Sequence, residues 1–297
     1  MSNIAKLIRK GFGKSDRKRD KGLTTPDDIM RYDDIAYGSD PYFQLLDVYR
    51  PKGTVGKKLP VIMIVHGGGW VYGDKGVYQF YGMSIAQKGF AVVNFTYRLA
   101  PEFKFPASMV DMNTVAKWIM DHQERYDFDV DHIYAVGDSA GGQMLSNYAT
   151  IVSNPKYASY FPFDVPEGFS FKAVGLNCGV YKVDINPETN KLDSDLIAGE
   201  LLANHGTPKE LLMMNPIPFM TADFPPAYIM TAKGDVVVKP EQADALEARL
   251  QELSVDYVRK EYGSDENPLY HVFHCNVREA EGAVCNEAEC SFFLSRK

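Results

Sequence analysis

Ile133-Tyr134-Ala135-Val136-Gly137-Asp138-Ser139-Ala140-Gly141-Gly142 is the stretch on which the reading of this chain turns. A short run suited to a buried strand leads straight into a Gly-x-Ser-x-Gly sequence, and Ala140–Val152 behind it has the spacing of a helix. Small residues on both sides of Ser139 permit a tight strand-to-helix turn that lifts the hydroxyl into the open. The helix N-terminus beneath it favours negative charge developing nearby. Ser139 is therefore a candidate nucleophile; as a bland alternative, the same residues would make a glycine-rich turn with Ser139 as a helix cap.

Upstream, His66-Gly67-Gly68-Gly69-Trp70 follows the apolar run Pro60–Val65, 71 residues before the serine when counted from Gly68. Three successive glycines cost backbone entropy and supply no packing, so their bare amides should be needed for something. In acyl transfer that need is a set of donors aimed at a developing oxyanion, each worth about 3–4 kcal/mol. A phosphate cradle is the competing use, but neither GxGxxG nor GxxxxGK[ST] occurs in the chain.

Around these two motifs, β-branched runs alternate with amphipathic stretches, the pattern of βα units on a parallel sheet. Strands are predicted at Gln44–Tyr49, Pro60–Val65, Ala91–Phe95, Ile133–Val136, Ala173–Asn177, Ala227–Thr231 and Asp256–Glu261. Helices are predicted at Gln79–Gln87, Ser108–Arg125, Ala140–Val152, Pro240–Leu253 and Ala283–Leu294. Two regions break the alternation: the basic, then turn-rich residues 1–40, and the insertion 179–222, which ends in the Met-rich run Leu211–Met220. An insertion of that size after a strand commonly covers the carboxyl ends of the sheet.

The 297 residues carry a formal net charge of −7, which argues against a nucleic-acid partner, because phosphate backbones need a basic face. That average hides an asymmetry: residues 1–22 hold eight basic and two acidic residues, a net of +6, which leaves −13 on the remainder. No apolar run is long enough for a membrane span, and the basic start has no apolar segment behind it to make a secretory signal. Ile4, Leu7, Ile8 and Phe12 offer an apolar stripe for weak peripheral contact of residues 1–22 with an anionic membrane, against the blander reading of a solvated helix face or tail. Cys178, Cys275, Cys285 and Cys290 are too sparse for a disulfide scaffold and match no standard zinc spacing, so a reducing, cytoplasmic location and no metal are expected.

A serine nucleophile needs a base, and the base an orienting acid. Asp235 lies just beyond the predicted strand Ala227–Thr231 and is the best-placed carboxylate. Of six histidines only His271 and His274 follow the last predicted strand, and spacing alone does not choose between them. Asp138 is placed either to tune the nucleophile or, the preferred reading, to make structural hydrogen bonds, and Arg98 and Glu102 could pair to fix their loop. Trp70 either lines the acyl pocket or shelters the glycine loop. Met213, Met214, Phe219 and Met220 form either an apolar substrate wall, with Met214 and Phe219 as candidate substrate-binding residues, or the packing of the cap on the body.

The chain resembles the hormone-sensitive-lipase-type branch of the α/β-hydrolases, a family of serine carboxylesterases. The resemblance is carried, in family order, by five motifs. They are His66–Trp70; Tyr97–Glu102 with Phe105-Pro106-Ala107 and Asp111; Gly137–Gly142; Pro225-Pro226-Ala227 leading to Asp235; and His271-Val272-Phe273. It implies an α/β fold with a mostly parallel central sheet, flanking helices and a helical cap. The cap would be built from 1–40 and 179–222, around a catalytic domain of 41–178 and 223–297. It implies Ser139 as nucleophile, Asp235 as orienter and His271 as general base, the last through the family's His-x-Phe pattern. Oxyanion donors are implied at the backbone N–H groups of Gly68, Gly69 and Ala140. One departure is Val236-Val237-Val238, where relatives carry Pro-Leu and a polar stretch.

The expected activity is hydrolysis of short-chain carboxylic esters through an acyl-enzyme, with no metal or organic cofactor. The expected partner is a small-molecule ester, and the expected state a monomer or homodimer. Deacetylation of acetylated saccharides, amide hydrolysis and ligand binding without turnover are the alternatives on the same scaffold.

Overall fold

In the computed structural model, which describes residues 3–188 and 194–296, eight strands form one sheet in the order β1-β2-β4-β3-β5-β6-β7-β8. The strands are β1 (Ile29–Ala36), β2 (Leu45–Pro51), β3 (Leu59–Val65), β4 (Ala91–Phe95), β5 (Phe128–Asp138), β6 (Ala173–Asn177), β7 (Ala227–Ala232) and β8 (Tyr257–Tyr262). β1 and β2 run antiparallel to their neighbours, and all pairs from β4 to β8 are parallel. The main helices are α1 (Asn3–Asp20), α2 (Gln79–Ala86), α3 (Ala107–Asp121), α4 (Ala140–Ser153), α5 (Pro155–Ala158), α6 (Pro208–Met214), α7 (Glu241–Glu252) and α8 (Ala280–Leu294).

The apolar runs predicted as strands are covered on both faces, and β3 shows how. Val61, Met63 and Val65 join one core with α3, α4 and α7, while Ile62 and Ile64 join a second core with α2 and α8. Each of these side chains is buried, and each contributes about 1.5–3 kcal/mol. The central strands therefore lack the in–out alternation of a half-exposed sheet.

Two parts of the N-terminal segment differ from expectation. Residues 29–36, expected as turn-rich, form the edge strand β1; it is irregular at Tyr32–Ile35 and carries Asp33 and Asp34, which obscured its period. Residues 3–20 form α1 and are docked on the body. Ala5 is fully buried, Ile4 and Ile8 pack on the core, and Phe12 meets Tyr72 edge-on at 5.9 Å. Of the proposed outward stripe Leu7 is 68% exposed and Phe12, turned onto Tyr72, 41%.

Arg98 and Glu102 do not pair with each other. Arg98 binds the buried Asp111 at 2.8 Å, and Glu102 takes two hydrogen bonds from Arg9 of α1 at 2.9 and 2.7 Å.

The insertion contributes a π-helical turn, Asp195–Leu201, and α6, whose start is closed by a capping box between Thr207 and Glu210. It is tied to the body where Lys104 Nζ donates to Gly199 O at 3.0 Å and Asn147 Nδ2 to Met213 O at 2.7 Å.

Candidate active site

The strand-to-helix turn between β5 and α4 holds Ser139 at φ 53°, ψ −121°, a conformation costing about 1–3 kcal/mol in a non-glycine residue. Its neighbours over-determine it. Ser139 N–H donates to Asn177 O at 3.0 Å, and Ser139 O accepts from Gln143 N–H at 3.1 Å and Val180 N–H at 3.3 Å. A Cβ at Gly141 would lie 2.1 Å from Val65 O, so only glycine lets α4 begin this close to β3. The serine side chain makes no cap hydrogen bond and is half-buried.

The loop after β3 stands next to this turn. Gly68 has φ +123°, and a Cβ there would meet Tyr72 O at 2.2 Å. The loop is held from outside: Gly67 N–H donates to Tyr78 Oη at 2.9 Å, and Tyr78 Oη–H donates to Asp138 Oδ2 at 2.7 Å. Asp138 thus has the structural role expected of it, and it acts on the glycine loop. Burial lifts its pKa to about 6 against the lowering effect of the Tyr78 bond. His66 is stacked on Tyr97 at 4.0 Å and buried, which drives its pKa down to about 4 and keeps it neutral.

Trp70 Nε1–H donates to Gln143 Oε1 at 3.1 Å, and Gln143 Nε2–H donates to Met214 O at 2.8 Å. One glutamine of α4 therefore joins the glycine loop to the insertion. Leu196 of the π-helical turn covers the loop, since a Cβ on Gly69 would meet its Cδ2 at 3.6 Å. Phe219 lies farther along, stacked on Tyr157 at 4.6 Å. Gln143 and Leu196 escaped the sequence reading; the four-residue step from Ser139 to Gln143 on a helix was the only signal for the former.

Asp235 follows β7, and His271 lies in the segment after β8. His271 Nδ1 and Asp235 Oδ2 are 2.8 Å apart. The other carboxylate oxygen accepts two backbone N–H groups, from Val237 and Val238, both at 2.9 Å. The valine departure leaves the acid's geometry intact, because the backbone supplies the bonds while the Val236 and Val237 side chains point to solvent. Burial alone would raise the Asp235 pKa; the hydrogen bond and charge of His271, with the two amides, override it and hold the carboxyl below its usual range.

His274 is placed differently. It is buried edge-on to Tyr81 at 5.3 Å, and burial drives its pKa down to about 3. Cys178, one residue after the Asn177 that holds Ser139, has its Sγ within 4.8 Å of Asp235 and His271 donor atoms. Through it the ends of β5, β6 and β7 converge on one place.

Cys178–Asp235–His271 and Asp138–His274–Cys275 are two groups whose donor atoms converge within 4.8 Å. Each offers three donors, and Asp235, His271 and Asp138 already spend theirs within the protein, where a structural zinc wants four. All four cysteines are free and buried.

Beneath the turn, Glu289 of α8 is fully buried and accepts from Asn177 Nδ2 at 2.9 Å. Burial lifts its pKa from 4.5 to about 8, so at neutral pH the folded chain keeps a proton that the unfolded chain releases. The contribution of Glu289 to stability then falls as pH rises through the interval from 4.5 to about 8 and levels out above it. Between pH 6.5 and 8.5, above the range of Asp138, the wild type should lose on the order of 1–3 kcal/mol in urea unfolding. Glu289→Gln, which retains the acceptor for Asn177, should be nearly flat over that range. A flat wild-type profile would contradict a protonated Glu289.

This fold and site define a hormone-sensitive-lipase-type α/β-hydrolase. A family model described as BD-FAE matches residues 46–250, and the chain belongs to that family. Esterase LipC of Mycobacterium tuberculosis is 29% identical over 229 residues, covering 74% of this chain and 55% of LipC. Bovine arylacetamide deacetylase is 36% identical over 107 residues, 34% of this chain and 27% of that protein. The chain spans about half, or less, of the length of the curated relatives it matches.

Among solved structures is that of an inhibited esterase B from Lactobacillus rhamnosis. It superposes with a TM-score of 0.86 at 24% identity, covering 99% of this chain and 96% of that one. A hyperthermophilic esterase from Pyrobaculum calidifontis gives 0.73 at 26% identity, covering 98% and 93%.

Proposed function

We propose that the protein is a serine carboxylesterase that hydrolyses short-chain carboxylic esters. The observation that carries this reading is the Asp235–His271 bond at 2.8 Å, with Asp235's remaining oxygen saturated by backbone amides, at the strand ends where the Ser139 turn and the glycine loop also meet. Ser139 attacks the ester carbonyl while His271 takes its proton. The carbonyl oxygen becomes an oxyanion on the N–H groups of Gly68, Gly69 and Ala140. His271 then protonates the leaving alcohol, and water repeats the sequence on the acyl-enzyme, returning the proton to Ser139. None of these steps requires a metal or an organic cofactor.

In this reading α1 and the insertion form the cap, and Trp70, Leu196 and Met214 the wall nearest the glycine loop. Phe219, stacked on Tyr157, braces the cap. The names of the relatives, esterases for the most part, support an ester substrate, and the four unpaired cysteines fit a reducing compartment.

A panel of p-nitrophenyl esters from C2 to C12 tests it, run beside acetylated saccharides and aminoacyl amides. The expected profile peaks at the short acyl chains, because Leu196 closes over the loop. A fluorophosphonate should label Ser139. A chain that resists the label would be a receptor, and one that prefers the amides or saccharides would overturn the ester assignment.

A further inference from the structure

We infer that the outer face of α1 is a docking surface for an anionic phospholipid bilayer. At 3.6 residues per turn, Lys6, Lys10, Lys14, Arg17 and Lys18 occupy one arc of about 120°, with Leu7 inside it. All five cations are solvent-exposed, and none has an acidic partner among the described residues. The other arc does the structural work. Arg9 binds Val71 O at 2.7 Å, Ala100 O at 2.9 Å and Glu102, while Arg19 binds Asp16, Asp20 and Val77 O. Tyr72 Oη–H donates to Asp16 at 2.8 Å.

Inward cations are paired, and outward ones carry no acid at i±4; Asp20, three residues after Arg17, is taken by Arg19. Arg17 and Lys18 sit in the last turn, where they complement the helix dipole. Lys6 sits in the first turn, where a cation opposes it, so helix stability does not account for the whole arc.

Charge complementarity selects the occupant. The remainder of the chain carries −13, so a polyanion wrapping around the molecule would be repelled, whereas a flat surface can meet the cationic face of α1. Leu7, 68% exposed among the cations, suits the headgroup region of a bilayer better than a strand of nucleic acid. α1 also touches the Asp195–Leu201 turn over the glycine loop, so docking on this face would set the cap beside the membrane. The inference does not rest on the esterase reading.

The test is sedimentation of the full chain with vesicles of phosphatidylcholine containing about 30 mol% phosphatidylserine, against pure phosphatidylcholine, at about 0.1 M salt. Binding to the anionic vesicles is expected, at least tenfold weaker on the neutral ones and in 0.5 M salt. Lys10→Gln/Lys14→Gln/Arg17→Gln should weaken it about a hundredfold with Tm unchanged, and single Lys10→Gln or Lys14→Gln about fivefold each. Ser139→Ala should bind as the wild type does, which keeps docking separate from catalysis. No binding, equal binding to neutral vesicles, an unaffected triple variant, or double-stranded DNA bound as tightly at the same salt would each overturn it.

Discussion

Replacing Ser139 by alanine should remove at least about four orders of magnitude of ester turnover while leaving the fold intact. The stability half of that expectation comes from the local structure. The strained φ of 53° costs an alanine no more than a serine, and the hydroxyl caps nothing. The turn is held by backbone bonds to Asn177, Gln143 and Val180, all of which survive the substitution. Unfolding free energy should therefore change by less than about 1 kcal/mol. Turnover of p-nitrophenyl butyrate and a thermal melt check both halves; activity within tenfold of wild type would remove Ser139 from the nucleophile's role.

Asp235→Asn should cost about 10⁴-fold in kcat for a reason visible in the hydrogen bonds. Oδ1 of the acid accepts two amides, from Val237 and Val238, and an asparagine must turn its own oxygen toward them. Its NH₂ then faces His271 Nδ1, where Asp235 Oδ2 now lies at 2.8 Å. That orientation forces the imidazole proton onto Nε2, and the ring can no longer accept one from Ser139. Fluorophosphonate labelling should slow in parallel with turnover, since both need the same proton transfer. An Asp235→Asn enzyme within tenfold of wild type would mean that a different carboxylate orients the base.

Much of this site was legible because its chemistry is local. Gly137–Gly142 and His66–Trp70 each lie at the end of a strand, where a change of period marks the turn, and β4 and β6 fall where the apolar runs place them. Asp235 was readable by its position after β7, but His271 was separated from His274 only by a family pattern. The physical distinction is tertiary: His271 reaches the acid, while His274 is sealed against Tyr81 and driven neutral. β1 was hidden because an edge strand has one partner and few buried side chains, so its composition resembles a loop. Gln143 and Leu196 were hidden because their partners, Trp70, Met214 and Gly69, come from distant parts of the chain.

From the sequence alone came the alternating strands and helices, the serine turn, the glycine loop and the excess of charge on residues 1–22, because each depends on neighbours in the chain. Which histidine meets Asp235, what locks the glycine loop, and which cations of α1 face inward were decided only when the sheet closed. Those outcomes depend on which side chains are taken out of water together: burial pairs Arg9 and Arg19, neutralises His274 and Glu289, and leaves Lys6, Lys10, Lys14, Arg17 and Lys18 in solvent.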